Sequence, residues 1–234
     1  LMTIFLTSIA LAVAAVPEGL PAIVTVCLAL GVQRMVKKNS LIRRLASIET
    51  LGCITTICSD KTGTLTKNEM TATKIFTNNK FYSITGPGYQ TTGDFLLVDE
   101  KSGSSSGLIN PEKEFPRLLE IAATCNNSTP SFGDPTEMAL LYAAKKGNAK
   151  RLERVDEIPF DSDTKYMATI HDGFDYYKGA PEVILEMCTH IEIKNNKRRL
   201  LPKDKEKILN ANHEMADGAL RVLAMAYKKG KEMC

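Results

Sequence analysis

No two of the six cysteines form a CxxC pair; they stand at 27, 53, 58, 125, 188 and 234. That scatter argues against a zinc-ligand set and against a disulfide framework, and it suits a reducing setting for most of the chain. Charge of either sign is almost balanced: 30 Lys and Arg face 27 Asp and Glu, a net charge of +3. So small an excess excludes an electrostatic case for a nucleic-acid partner. There is no internal repeat. Ionisable side chains are scarcest at the start, where residues 1–33 contain only Glu18. What is present, 234 residues at 44% hydrophobic content, suffices for one large domain or two small ones.

The charge-poor stretch LMTIFLTSIALAVAAVPEGLPAIVTVCLALGVQ exceeds the ~20 apolar residues that span a bilayer. It has no basic leader and is too long for a signal peptide. Arg34, Lys37, Lys38, Arg43 and Arg44 follow, with no acid before Glu49. The positive-inside rule places that end, and the residues after about 34, in the cytoplasm of an integral membrane protein. Pro17-Glu18-Gly19-Leu20-Pro21 interrupts the span. Proline removes a backbone donor and clashes with the preceding turn, so the helix is expected to unwind there. Carbonyls and a carboxylate at membrane depth require a polar lining, and hard cations prefer such oxygens. The stretch AAVPEGLP therefore reads as a cation site on a broken helix.

Further along, residues 34–52 read as a basic connector and Cys53–Cys58 as a strand. MTATKIF reads as a second strand, and residues 77–110, with TGPGYQTTGD and KSGSSSG, as surface loops. Residues 112–127 are expected to be helical. In GDPTEMALLYAAKKG, Asp134 suits the N-cap, Pro135 the first turn and Glu137 the capping-box position, with Gly147 as the stop. KYMATIHDGFDYYKGA predicts a hairpin turning at Asp172-Gly173. Helices are expected from Pro181 to about Cys188 and over 203–217, with a last strand over 219–227. The fold class is multi-domain: a transmembrane α-helix (1–33), a basic connector (34–52), the start of an α/β domain (53–73) and an α+β domain with antiparallel sheet (74–234).

The chemistry concentrates at ICSDKTGTLT, residues 57–66. A strand that ends in Asp60 presents a carboxylate at the crevice where α/β sheets hold ligands. Asp60 can attack a terminal phosphate and become an aspartyl-phosphate. Lys61 adds positive charge, Gly63 lets backbone amides approach, and Thr62 and Thr64 offer hydroxyls. Taken alone, the triplet Asp-Lys-Thr favours a Ser-Asp cap followed by a Thr-Gly turn.

The ten residues together resemble the signature of P-type cation-transporting ATPases. VPEGLP upstream, and YKGAPE and LRVLAMAY downstream, resemble blocks of the same family in the same order. The subgroup that looks most similar is the type II calcium pumps. The resemblance implies that Asp60 is phosphorylated, that Lys61 and Thr62 support the phosphate, and that Asp60 and Thr62 help hold Mg2+. It implies a haloacid-dehalogenase-like phosphorylation domain. Soluble phosphatases of that fold carry an aspartate where this chain has Thr62; without that proton shuttle the aspartyl-phosphate should live longer. For the membrane segment it implies that Glu18 and the carbonyls of Val13, Ala14 and Val16 bind the transported cation. Calcium is the expected ion, although sodium-potassium pumps share the PEGL core.

The likeness also assigns an ATP site. Phe160 matches the residue that stacks on adenine, and Glu137 an acid near the adenine amino group. Lys165 and Arg221 match phosphate-side cations, and Lys178 with Gly179 lies in the pocket. Ser162 departs from the family, which has arginine there. Thr92-Gly93-Asp94 copies a family triplet that belongs far downstream, and is read as chance. The actuator domain, the other transmembrane helices and the later aspartates of the family are expected partners in the rest of the polypeptide. The resemblance also implies that the chain stops short of the closing strands of the nucleotide domain. The chain alone is expected to bind nucleotide and not to pump or hold a phosphoenzyme. A soluble phosphatase of the same fold, or a non-catalytic nucleotide-binding module, stays open at this point.

Overall fold

A computed structural model describes residues 2–17, 19–99 and 104–230. The chain divides into two compact units, Leu1–Leu65 and Thr66–Cys234.

The first unit is helical. Helix α1 covers Met2–Ala14, α2 covers Gly19–Val36 and α3 covers Ala46–Gly52. None of the three carries a buried residue. Met2–Val36 is the one stretch among the described residues that is long and apolar enough to cross a membrane. At ~1.5 Å per residue, α2 alone reaches roughly 27 Å, close to the thickness of a hydrocarbon core. Threonine side chains of both helices return to the backbone: in α1 Thr7 donates to the Thr3 carbonyl at 2.7 Å, and in α2 Thr25 donates to the Pro21 carbonyl at 2.8 Å. Hydroxyls satisfied one turn back are compatible with an apolar solvent.

The strand expected over Cys53–Cys58 does not form. Residues 54–60 have no regular structure, and Ile57 is 79% exposed. A strand needs a neighbour for its N–H and C=O groups, and the described residues of this unit provide none.

The second unit is α+β with antiparallel sheets. Strands β1 (Lys74–Thr77), β2 (Lys80–Ile84), β3 (Phe95–Val98) and β4 (Ser105–Leu108) form one sheet in sequence order. The segment 77–110, expected to be loops, thus contributes β2, β3 and β4 to this sheet. Tyr82, Ile84 and Phe95 alternate inward, and Phe115 meets both aromatic rings edge-on at 5.0 and 5.9 Å. Its strands are short and separated by Gly- and Ser-rich turns, which masked them. In β4, SSGL has little strand propensity of its own and is held by pairing with β3.

Helices α4 (Pro111–Glu114) and α5 (Pro116–Thr124) replace the single helix expected over 112–127. Pro116 denies its predecessor the helical region, and Phe115 sits at φ −150°. Helix α6 (Pro135–Lys146) starts as expected, with the Asp134 carboxylate accepting from Thr136 and Glu137 N–H.

Strands β5 (Asp156–Asp161), β6 (Tyr166–Ile170) and β7 (Phe174–Gly179) pair as a meander, and β6 and β7 form the expected hairpin. Helix α7 (Pro181–Met187), the ribbon β8 (His190–Ile193) and β9 (Asn196–Arg199), and helix α8 (Pro202–Asp217) follow. Strand β10 (Ala224–Lys229) closes the second sheet in the order β10-β7-β6-β5. It begins five residues later than 219, because the helix ending consumes the intervening chain. Ala219 adopts φ 57° and Leu220 N–H returns to the Met215 carbonyl at 3.2 Å. Met167, Tyr176 and Cys125 form the core under this sheet.

Candidate functional site

The unit of 66–234 gathers the expected nucleotide residues around β5, β7 and the start of α6. Lys178 occupies β7 with its side chain only 6% exposed. Its ammonium donates to Glu137 Oε1 at 2.9 Å. Glu137 lies at the third position of α6, where the sequence suggests a capping box. The Asp134 half of that box forms. Glu137 instead accepts at Oε2 from Asn127 N–H at 3.0 Å and the Ser128 hydroxyl at 3.4 Å. A buried ammonium needs such a partner, because desolvation otherwise favours the neutral amine.

Phe160 is on β5 and is 61% exposed. The register between β5 and β6 slips between Ile158 and Asp161, so Pro159 and Phe160 sit in an irregularity. On the other side of β6, Met167 pairs with Lys178 of β7. Phe160 and Lys178 thus stand on strands that both neighbour β6, strands two spacings or roughly 10 Å apart. An exposed aromatic ring beside a cationic, hydrogen-bonded pocket can stack a planar base while the cation meets anionic oxygens.

Lys165 lies between β5 and β6 in a left-handed conformation, φ 57°. Its N–H donates to the Asp161 carbonyl at 2.7 Å, and its own carbonyl accepts from Ala180 N–H at 2.9 Å. That contact explains Gly179: a Cβ there would lie 2.4 Å from the Lys165 oxygen and 2.6 Å from Tyr166 Cβ. Arg221 precedes β10, and its guanidinium donates to Thr136 Oγ1 at 3.2 Å, beside Glu137. Glu137, Lys178 and Arg221 are thus linked through α6, Gly179 and Lys165 through the turn, and Phe160 through the sheet.

Residues that sequence reasoning missed stand behind Glu137. The turn after α5, Cys125-Asn126-Asn127-Ser128, is buried at Cys125, Asn126 and Ser128. Asn126 donates to the Ala122 and Glu137 carbonyls at 3.1 and 2.8 Å. Arg151 and Arg154 donate to its backbone carbonyls. The run Asn-Asn-Ser at a helix end was the available signal. Burial pushes the Cys125 thiol up, which makes it a packing group rather than a nucleophile.

A cavity of about 890 Å3 lies elsewhere in this unit. Ile75, Phe115, Leu185 and Met225 are among its lining, and Arg221 and Thr136 touch it. Phe160, Glu137, Lys165 and Lys178 do not line it. Size alone therefore does not mark the chemistry.

In the first unit Asp60 is exposed, and the Ser59 hydroxyl donates to its backbone carbonyl at 3.2 Å. The chain kinks at Thr62 (φ −81°, ψ 120°) and Gly63 (φ 74°, ψ −1°). Only a residue without a Cβ takes that left-handed value at little cost, so Gly63 turns the backbone directly after the carboxylate. Asp60 and the Thr62 carbonyl are oxygen donors of the kind a hard divalent cation accepts, too few to enclose one without phosphate and water oxygens. Among the described residues no cluster of three or more His, Cys, Asp or Glu side chains exists to bind a metal alone.

Helix α1 stops at Ala14, and α2 begins at Gly19. Val13 C=O accepts from Val16 N–H at 3.1 Å, a tightened turn before Pro17. Ala14 ends the helix and Val16 lies in the break. Glu18 lies outside the described residues.

Residues 114–233 match the family described as P-type ATPase, cytoplasmic domain N. The chain belongs to the P-type ATPases. It is 40% identical to a calcium-transporting ATPase of Bacillus subtilis (strain 168), over 97% of this chain and 27% of that protein. It is 42% identical to calcium-transporting ATPase 1 of Bacillus cereus (strain ATCC 10987 / NRS 248), over 97% and 25%. It is 40% identical to the Homo sapiens calcium-transporting ATPase type 2C member 1, over 97% and 26%. The chain spans about a quarter of the length of these relatives.

Proposed function

We propose that this chain is part of an ATP-driven cation pump with Ca2+ as its cargo, and that it contributes the phosphorylated aspartate and the nucleotide site. The observation that carries the reading is Lys178, buried on β7 and held by Glu137, in the sheet whose β5 strand carries the exposed ring of Phe160. Phe160 stacks the adenine, Glu137 meets its amino group, and Lys178 sits in the pocket with Gly179. Lys165 and Arg221 face the phosphates. Ser162 replaces a further phosphate-side cation, leaving Lys165 a larger share of that charge.

An Asp60 carboxylate oxygen forms a bond to the γ-phosphorus, and the bond from that phosphorus to the bridging oxygen of ADP breaks. ADP leaves with the electron pair, and the enzyme holds an acyl phosphate. Lys61 neutralises charge beside the transferred group, and Gly63 allows close backbone approach. Asp60 and the Thr62 carbonyl would hold Mg2+, which neutralises phosphate charge when bound. Thr62 offers no carboxylate to activate water, so the intermediate persists long enough for a conformational change.

In this reading residues 1–33 span the bilayer, 34–52 form a stalk, 53–73 open the phosphorylation domain and 74–234 form the nucleotide domain in the cytoplasm. Val13, Ala14, Val16 and Glu18 bind the cargo. The rest of the pump polypeptide, with its actuator domain and other membrane helices, is the partner.

The test uses the full-length pump in membranes, with Asp60→Asn as control. Acid-stable phosphoprotein from terminally labelled ATP is measured with and without micromolar calcium. Label that requires both Asp60 and calcium is the expected result. Asp60-dependent label that responds to sodium moves the cargo, and no Asp60-dependent label under any cation overturns the catalytic assignment.

A further inference from the structure

We propose that Arg154 is a positioning residue for the nucleotide site, holding Glu137, and through it Lys178, in register with the strand that carries Phe160. The inference rests on the nucleotide reading above and adds a residue that the site's own chemistry does not touch.

The geometry runs through one guanidinium. Arg154 Nη2 donates to the Asn126 carbonyl at 2.8 Å and the Thr124 carbonyl at 3.5 Å. Nη1 donates to the Asn127 side-chain oxygen at 2.5 Å and to the Glu157 carboxylate. Arg151 adds a bond from Nη1 to the Ser128 carbonyl at 3.1 Å, and another to Asn126. The turn thus pinned supplies the Asn127 N–H and Ser128 O–H that fix Glu137 Oε2, while Glu137 Oε1 holds Lys178. Glu157, the partner on the other side, lies on β5 three residues before Phe160. A single side chain therefore ties the acid-and-lysine wall of the site to its aromatic wall.

An ordinary exposed ion pair would contribute little. Arg154 differs because its side chain is only 25% exposed and its planar fork meets four acceptors at once. A lysine keeps the charge but, as a point donor, cannot span that set. Glu137 has two rotatable bonds beyond Cβ, and a displacement of about 1 Å in a positioning group is enough to weaken a site strongly.

The experiment uses the full chain in detergent, with ATP binding measured by titration calorimetry. The variants are Arg154→Ala, Arg154→Lys, Glu137→Gln and the double Arg154→Ala/Glu137→Gln, with Phe160→Ala and Lys178→Ala marking the site. The amide proton of Asn127 is followed by NMR in the absence of nucleotide. Arg154→Ala is expected to weaken ATP roughly tenfold, about 1.4 kcal/mol, and Arg154→Lys nearly as much. The double variant is expected to bind no more weakly than Glu137→Gln alone, because Arg154 acts through Glu137. The Asn127 amide resonance should move upfield in both Arg154 variants as its bond to the carboxylate lengthens.

Wild-type affinity in Arg154→Lys with an unmoved Asn127 amide overturns the positioning role, even if Arg154→Ala does not fold. Strictly additive losses overturn it as well. If the chain binds ATP through Phe160 and Lys178 but is indifferent to Arg154, the nucleotide reading stands and this inference fails. If wild-type chain binds no ATP, or binds it independently of Phe160 and Lys178, both fall.

Discussion

Truncating Glu137 should cost the second unit far more than truncating its partner, and the asymmetry follows from burial. Lys178 is 6% exposed and Glu137 17%. Glu137→Ala strands a buried ammonium and leaves the Asn127 amide and the Ser128 hydroxyl without their carboxylate acceptor. Breaking a buried pair by removing one partner costs about 3–5 kcal/mol, and the partial exposure of Glu137 argues for the lower end, about 3 kcal/mol. For a unit of this size that corresponds to a loss of roughly 6–12 °C in melting temperature. Lys178→Met removes the charge and keeps the apolar stem. Glu137 then retains both donors from the turn and partial access to water, so the cost is about 1 kcal/mol, or roughly 2–4 °C. The chain has no tryptophan, so unfolding is followed by near-ultraviolet circular dichroism of the tyrosines, on the full chain in detergent at neutral pH. A Glu137→Ala protein that melts no lower than Lys178→Met would refute the reasoning. It would mean that the ammonium reaches water without its partner.

Gly179→Ala should destabilise by at least 2 kcal/mol, because the new methyl meets backbone at 2.4 Å rather than a flexible chain end; a melting temperature within 2 °C of wild type, on the scale of about 2–4 °C per kcal/mol, would contradict this. Asp204 is held down to about 2 by the paired hydrogen bonds from Arg198 at 2.6 and 2.7 Å, and then by the Leu201 N–H. Its folded value lies below its unfolded one, so its contribution is full above the ordinary 3.8 and fades as pH falls toward about 2. The stability gap between wild type and Asp204→Asn, read by thermal melts, should close over that window. Burial first, and then the bonds to Glu120 and Glu192, push Tyr176 and Tyr227 up to about 12. Folding therefore favours the neutral phenols: stability is full below about 10 and lost as pH rises toward 12. Tyrosinate absorbance should rise together with unfolding in wild type, and the alkaline loss should be smaller in Tyr176→Phe.

Several local features of the candidate site were legible in short blocks. Asp60 follows an apolar run and precedes a glycine, and the break at Pro17 follows from proline's missing donor. GDPTE marked a helix start, and the α6 cap is formed by Asp134 as its side-chain length requires. The hairpin at Asp172-Gly173 and the helices at 181 and 202 likewise follow from local signals. What failed was whatever depends on a distant partner. Cys53–Cys58 has strand composition and, among the described residues, no strand paired with it, whereas Ser105–Leu108 has poor composition and pairs because Phe95–Val98 lies next to it.

By itself, then, the sequence determined the family and the apolar span, because these are carried by short blocks and local composition. Tertiary structure alone decided what Glu137 does. A carboxylate in a helix's first turn can cap its own backbone or hold a cation from elsewhere. Here Lys178, 41 positions away, arrives desolvated on β7. The cost of an unpaired buried ammonium outweighs the gain of one exposed cap, and that comparison exists only once the chain has folded.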